Sequence, residues 1–146
     1  SRGLAHTPLS NFSQAVKDLN EAVRLNPNFA DGFCSRGFAH RAAGRLNRAL
    51  SDFDQAIRID EKFSVAYNNR ADVHIEMNNP ELAIPDLDEA IKLDPGFAVA
   101  FANRAFAHTL LKDDSKAGQD LDAAVNMGVD RKLLEDKMAE YRESAL

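Results

Sequence analysis

Apolar residues between Ala30 and Phe63 fall into two runs with helical spacing. In the first, Phe33, Gly37 and His40 share one face, and Gly44 ends the run. In the second, Ala49, Phe53, Ala56, Ile57 and Ile59 form a continuous stripe. This pattern predicts two helices joined by a short turn. The small residues Gly37, Ala49 and Ala56 stand where the helices approach closely, and Phe33 and Phe53 fill the space beside them. One such pair cannot bury its stripe alone, so it must stack on others and share a continuous core.

The rest of the chain supplies the others. SRGLAH at Ser1–His6 returns as SRGFAH at Ser35–His40, NRADVH at Asn69–His74 and NRAFAH at Asn103–His108, each start 34 residues after the last. The second runs keep the same step, as QAVKDLNEAVRLNP, RALSDFDQAIRIDE, LAIPDLDEAIKLDP and KAGQDLDAAVNMGV. The units are about 1–29, truncated, then 30–63, 64–97 and 98–131. After Met127-Gly128 the pattern changes. Arg131–Ala145 reads as one last helix, with Leu134, Met138, Tyr141 and Ala145 in a stripe and a charged outer face. Residues 132–146 are therefore expected to cap the array. The expectation is an all-α solenoid without strands, with seven helices in antiparallel pairs plus the cap, eight in all.

The unit resembles the tetratricopeptide repeat, in which an aromatic, Leu-Gly, Tyr, Ala, Phe, Ala and Pro recur in order. Here those places hold Phe33, Arg36-Gly37, His40, Ala49, Phe53, Ala56 and Glu61. In the next unit they hold Tyr67, Arg70-Ala71, His74, Ala83, Leu87, Ala90 and Pro95. In the fourth they hold Phe101, Arg104-Ala105, His108, Ala117, Leu121 and Ala124. Arg for Leu and His for Tyr depart from the family pattern, and do so in every unit. The resemblance covers about residues 1–131 and implies a right-handed superhelix.

Turn chemistry refines the boundaries. Pro8 falls near the end of a first-helix remnant at residues 1–9, and the partner helix is expected from about Phe12 to Leu25, stopped by Asn26-Pro27. Gly44 and Asn78 hold equivalent C-terminal turns. Asn79-Pro80 reads as an N-cap followed by Pro at the first helical position. Pro85, inside the same helix, is expected to bend it locally. Ser1 falls at the sixth place of a unit, which suggests a fragment or the surviving part of a longer array. Such a cut exposes an edge at Leu4 that upstream repeats or a second copy of the chain would cover.

Composition narrows the partner classes. The 146 residues are 45% hydrophobic, enough for a continuous core, and carry a net charge of −5 with a pI near 5.3. An acidic chain lacks the basic stripe that nucleic acid requires. No apolar run approaches spanning length, so membrane insertion is not expected. Cys34 is the one cysteine. It leaves no internal disulfide and fits a reducing compartment, which makes the cytoplasm the expected location.

Three polar columns repeat with the unit. His6, His40, His74 and His108 stand too far apart, at a helix-packing distance of at least about 8 Å, to share one metal ion. Arg2, Arg36, Arg70 and Arg104 precede them by four residues, and Asp18, Asp52, Asp86 and Asp120 lie on the second helices. These columns read as a ladder of Arg–Asp pairs within each unit; the alternative is solvent-facing arginines that take ligand carboxylates. No phosphate loop, nucleophile elbow, HExxH or CxxC is present. Neither catalysis nor a cofactor is expected.

In proteins that resemble this one, ligands lie on the inner face built by first helices. The matching residues are Asp31, Cys34, Phe38 and Arg41 in the second unit, and Val65, Asn68, Asn69, Asp72 and Ile75 in the third. The fourth supplies Val99, Ala102, Asn103, Phe106 and Leu110. Phe38 and Phe106 are the candidate anchors for a peptide, unless the C-terminal helix covers them. Family members that capture a chaperone's C-terminal carboxylate use two Lys, two Asn and one Arg on this face. The corresponding places hold Cys34, Phe38, Asn69, Val99 and Asn103, of which only Asn69 fits. The expected function is a non-enzymatic module that binds a protein or peptide partner in the concave groove. Its alternatives are an assembly scaffold, with a homo-oligomer formed through the truncated edge, and the regulatory arm of a larger enzyme.

Overall fold

The protein, seen in a computed structural model, is described over residues 8–144, with side chains from residue 11 onward. The described residues form eight α-helices and no strand. They are α1 (Pro8–Leu25), α2 (Ala30–Ala42), α3 (Leu46–Ile59), α4 (Ser64–Glu76), α5 (Pro80–Leu93), α6 (Ala98–Leu110), α7 (Asp114–Asn126) and α8 (Arg131–Ser144). The expected helix count and the absence of strands are thus observed. Arg2, Leu4 and His6 lie outside the described residues, as does the expected helical remnant up to residue 7.

One boundary differs. The sequence places Pro8 near the end of a helix and starts its partner at about Phe12; instead the described residues run as one continuous helix over Pro8–Leu25, with no break before Phe12. Pro85 lies in α5 as expected and is exposed. Asn79 is the N-cap of α5 but makes no side-chain cap hydrogen bond.

The turns follow from local chemistry. Between units, Asn26, Asp60 and Asp94 each accept a hydrogen bond from the backbone N–H two residues on, at 3.2, 3.1 and 3.2 Å. Within units, the turn needs a left-handed residue, and Gly44 supplies it at φ 79°. Asn78 does so at 60° and Lys112 at 62°. Lysine has no special tolerance for that conformation, and its use here was not legible from the sequence.

The chain divides within α4 into two compact units, 1–66 and 67–146. In the first, α2 packs on both α1 and α3. Phe53 and Ala49 of α3 are fully buried. A Cβ at Gly37 would stand 2.8 Å from the Phe53 ring, so α2 reaches α3 only because that residue is glycine. In the second unit α6 packs on α5, α7 and α8. Ala71 and Ala105 replace the glycine there, and the smaller Leu87 and Leu121 replace the phenylalanine. Leu134 and Met138 of α8 close this core, as the stripe on the last helix predicts.

Candidate interaction surface

The proposed groove residues divide by exposure. On α2, Phe38 is 53% exposed, Asp31 is exposed, Arg41 is half-buried, and Cys34 is buried. Val65, in the first turn of α4, is exposed. In the second unit Val99 is 52% exposed, while Asn69, Asp72 and Leu110 are half-buried. Ile75 and Ala102 are buried. Asn68 and Asn103 are also buried, and Asn103 donates from Nδ2 to Asn68 Oδ1 at 2.9 Å. That bond ties α4 to α6 and satisfies two amides that would be costly to bury alone.

Phe106 is the main departure from the expected surface. It is only 6% exposed. Tyr141 of α8 packs on it with ring centroids 5.3 Å apart, and Lys137 Nζ lies 5.9 Å from the ring centre. The last helix occupies this ring, so Phe106 is not a free anchor. Phe38 remains one.

The Arg–Asp ladder is present in all three described units. Arg36 Nε and Nη2 donate to the two carboxylate oxygens of Asp52 at 2.9 and 2.7 Å. Arg70 does the same to Asp86 at 2.9 and 2.6 Å, and Arg104 to Asp120 at 2.9 and 2.8 Å. The aspartates are buried. Each guanidinium also lies over an aromatic ring of its own helix, Phe33 at 5.4 Å, Tyr67 at 5.8 Å and Phe101 at 5.4 Å. This aromatic contact is local to the helix, at i−3, and the sequence columns could have revealed it. The bidentate fork raises the pKa of Arg36 and Arg104, so the pairs are ionised. Arginines engaged in this way are not open receptors for ligand carboxylates.

Histidine completes each station. Nε2 of His40, His74 and His108 stands 3.9 Å from an oxygen of the same aspartate. Burial lowers the pKa of His40 and His108, outweighing the pull of the aspartate, so both rings are neutral at neutral pH. His40 is 7% exposed, and its Nδ1 is buried without a hydrogen-bond partner. Among the described residues no three His, Cys, Asp or Glu side chains are placed to hold a metal.

Two family models of the tetratricopeptide repeat match the chain, one over residues 2–62 and the other over residues 64–97. The chain belongs to the tetratricopeptide repeat family. Solved structures agree on the fold of this repeat protein. The crystal structure of MamA is 18% identical, with 92% of this chain and 86% of that chain covered and a TM-score of 0.75. The second TPR of Spaghetti (RPAP3), bound to the HSP90 peptide SRMEEVD, is 28% identical over 67% of this chain and 91% of that chain, at a TM-score of 0.66. The TPR domain of Arabidopsis OM64 is 21% identical over 77% and 95%, at 0.71. No curated protein matches this repeat sequence. No helix of the described repeats is long and apolar enough to cross a membrane.

Proposed function

We propose that this tetratricopeptide repeat chain is a non-enzymatic module that holds a peptide segment of a partner protein on the face formed by its first helices. One observation carries the reading. Phe38, Val65 and Val99 are large apolar side chains that the fold leaves exposed, and all three fall at groove positions inferred from the repeat register. Exposed apolar groups that recur at equivalent helix positions are the usual mark of a partner surface. The Spaghetti relatives hold HSP90 peptides, which supports peptide capture as the general activity.

The peptide class differs from an acidic C-terminus. At the five carboxylate-capturing places this chain carries no Lys or Arg, and Cys34 and Asn103 are buried there. Phe38 and Val99 favour an apolar or aromatic anchor residue instead. Peptides selected by display against the chain provide the probe. Phe38→Glu and Val99→Glu are expected to weaken selected peptides about tenfold or more, while Leu133→Glu, on the exposed face of α8, leaves affinity unchanged. Equal loss in all three variants, or none in the first two, removes the groove reading.

A further inference from the structure

The Arg–Asp–His station of α2 and α3 borders a pocket of about 400 Å³, and that of α6 and α7 borders one of about 260 Å³. The repeats are in register, so the residues of the first pocket have counterparts two repeats on, and the chain carries its own control. Two of these exchanges change charge, and a third keeps its charge but gains a carboxylate partner. Asn20 accepts a hydrogen bond from Arg36 Nη1 at 3.0 Å, whereas Asp88 accepts the equivalent bond from Arg104 at 3.0 Å. Arg45, the residue before α3, becomes Asp113 before α7. Arg48 becomes Lys116, which stands within 4.0 Å of Asp113.

The second pocket is balanced by its own carboxylates. Arg104 lies between Asp120 and Asp88, and the Asp113 carboxylate accepts the Lys116 backbone N–H at 3.1 Å, capping α7. In the first pocket Arg36 is matched by Asp52 alone. Arg45 and Arg48 are exposed and make no side-chain hydrogen bond or ion pair with any described residue. Arg45 also leaves the N-terminus of α3 without a side-chain cap. Three arginines against one aspartate leave two positive charges on the pocket wall, beside a helix N-terminus whose counterpart in α7 holds a carboxylate.

We propose that the pocket between α1, α2 and α3, walled by Arg36, Arg45, Arg48 and Ser51, binds a phosphate monoester. Such a group carries about −1.5 to −2 charges and three acceptor oxygens. That charge matches two free guanidinium groups, whereas one carboxylate would leave one of them uncompensated. The oxygens match a fork from each arginine, the Ser51 hydroxyl and the first N–H groups of α3. The site does not depend on the groove reading, because Phe38 projects from α2 on the side away from Arg36 and His40.

The test is a calorimetric and NMR titration of the whole chain at constant ionic strength. The probes are inorganic phosphate, a phosphoserine peptide, and the same peptide with serine or aspartate in that place. Saturable binding of phosphate and of the phosphoserine peptide is expected, with shifts at Arg45, Arg48 and Ser51 and weaker binding of the aspartate and serine peptides. Arg45→Glu and Arg48→Glu are each expected to weaken it about tenfold or more, and Lys116→Glu in the control pocket to leave it unchanged. Both reversals put an acid at the start of α3, which the helix dipole favours, so the fold is retained; thermal melts check this, with Arg48→Gln as a second variant. Tighter binding of the phosphoserine peptide than of free phosphate assigns the ligand to a modified partner, and equal binding assigns it to a free oxyanion. Absence of saturation, indifference to both arginine variants, equal binding of the aspartate peptide, or an equal loss in Lys116→Glu overturns the proposal.

Discussion

The Phe106 ring and the Tyr141 ring lie 5.3 Å apart at an interplanar angle of 40°. A tilted pair of this kind adds about 0.5–1.5 kcal/mol to the apolar area it buries. The contact makes Phe106 part of the core that α8 closes. Phe106→Ala is therefore expected to cost about 3–5 kcal/mol in denaturant unfolding, with Tyr141→Ala losing less because that ring is only half-buried. A variant at Phe106 with an unchanged unfolding midpoint would contradict this packing.

Gly37 and Phe53 form a size-matched pair. A Cβ at Gly37 would come within 2.8 Å of the ring, while the equivalent Ala71 and Ala105 stand beside leucines. Gly37→Ala gains about 1 kcal/mol of helix propensity but overpacks by about 1–3 kcal/mol, so a net loss is expected. Phe53→Ala alone should cost about 3–5 kcal/mol. In a double-mutant cycle, Gly37→Ala with Phe53→Leu is expected to be more stable than the sum of the two single changes. Simple additivity would place the two residues out of contact.

Removing one member of the ladder is expected to be unequal in its effect. Asp52 is 5% exposed, so Arg36→Ala leaves a buried carboxylate without its fork and should cost about 3 kcal/mol or more. Asp52→Asn leaves a guanidinium whose side chain is 21% exposed and can recruit water, at a smaller cost. Equilibrium unfolding above pH 7 compares the two. The reverse order would mean that Asp52 is solvated.

Stability should fall as the solution is acidified. The ordinary imidazole value is 6.5, and burial holds His40 and His108 below it in the folded chain. Just below 6.5 the unfolded chain binds more protons than the folded one, so the stability that is full above that value declines as pH falls. His40→Tyr with His108→Tyr, which installs the residue of the family pattern, is expected to flatten the unfolding midpoint between about pH 6.5 and pH 5.5. An unchanged slope in that variant would show that carboxylates alone control it.

The eight helices of the described residues, their order and the Arg–Asp pairs were legible in the sequence because each rests on spacing. Repetition every 34 residues places equivalent side chains in equivalent surroundings, so Arg36, Arg70 and Arg104 all meet their aspartates. Buried Phe53 and Leu87 followed from a helical stripe, a property of neighbouring residues. The break expected between Pro8 and Phe12 is absent because proline marks helix ends and helix starts alike, and sequence alone does not separate the two.

Tertiary structure decided matters that spacing does not encode. The capping helix was visible as an amphipathic stripe, but the ring that Tyr141 covers depends on how α8 docks on α6, and that docking removes Phe106 from the exposed surface. Asn68 and Asn103 have the composition of groove residues, yet the approach of α4 to α6 pairs them in the interior. Arg45 and Arg48 belong to no repeating column; their meaning lies in how their surroundings differ from those of Asp113 and Lys116. A local pattern specifies which residues share a helix face. Whether a side chain on that face meets solvent, a counter-charge or another ring depends on the element packed against it.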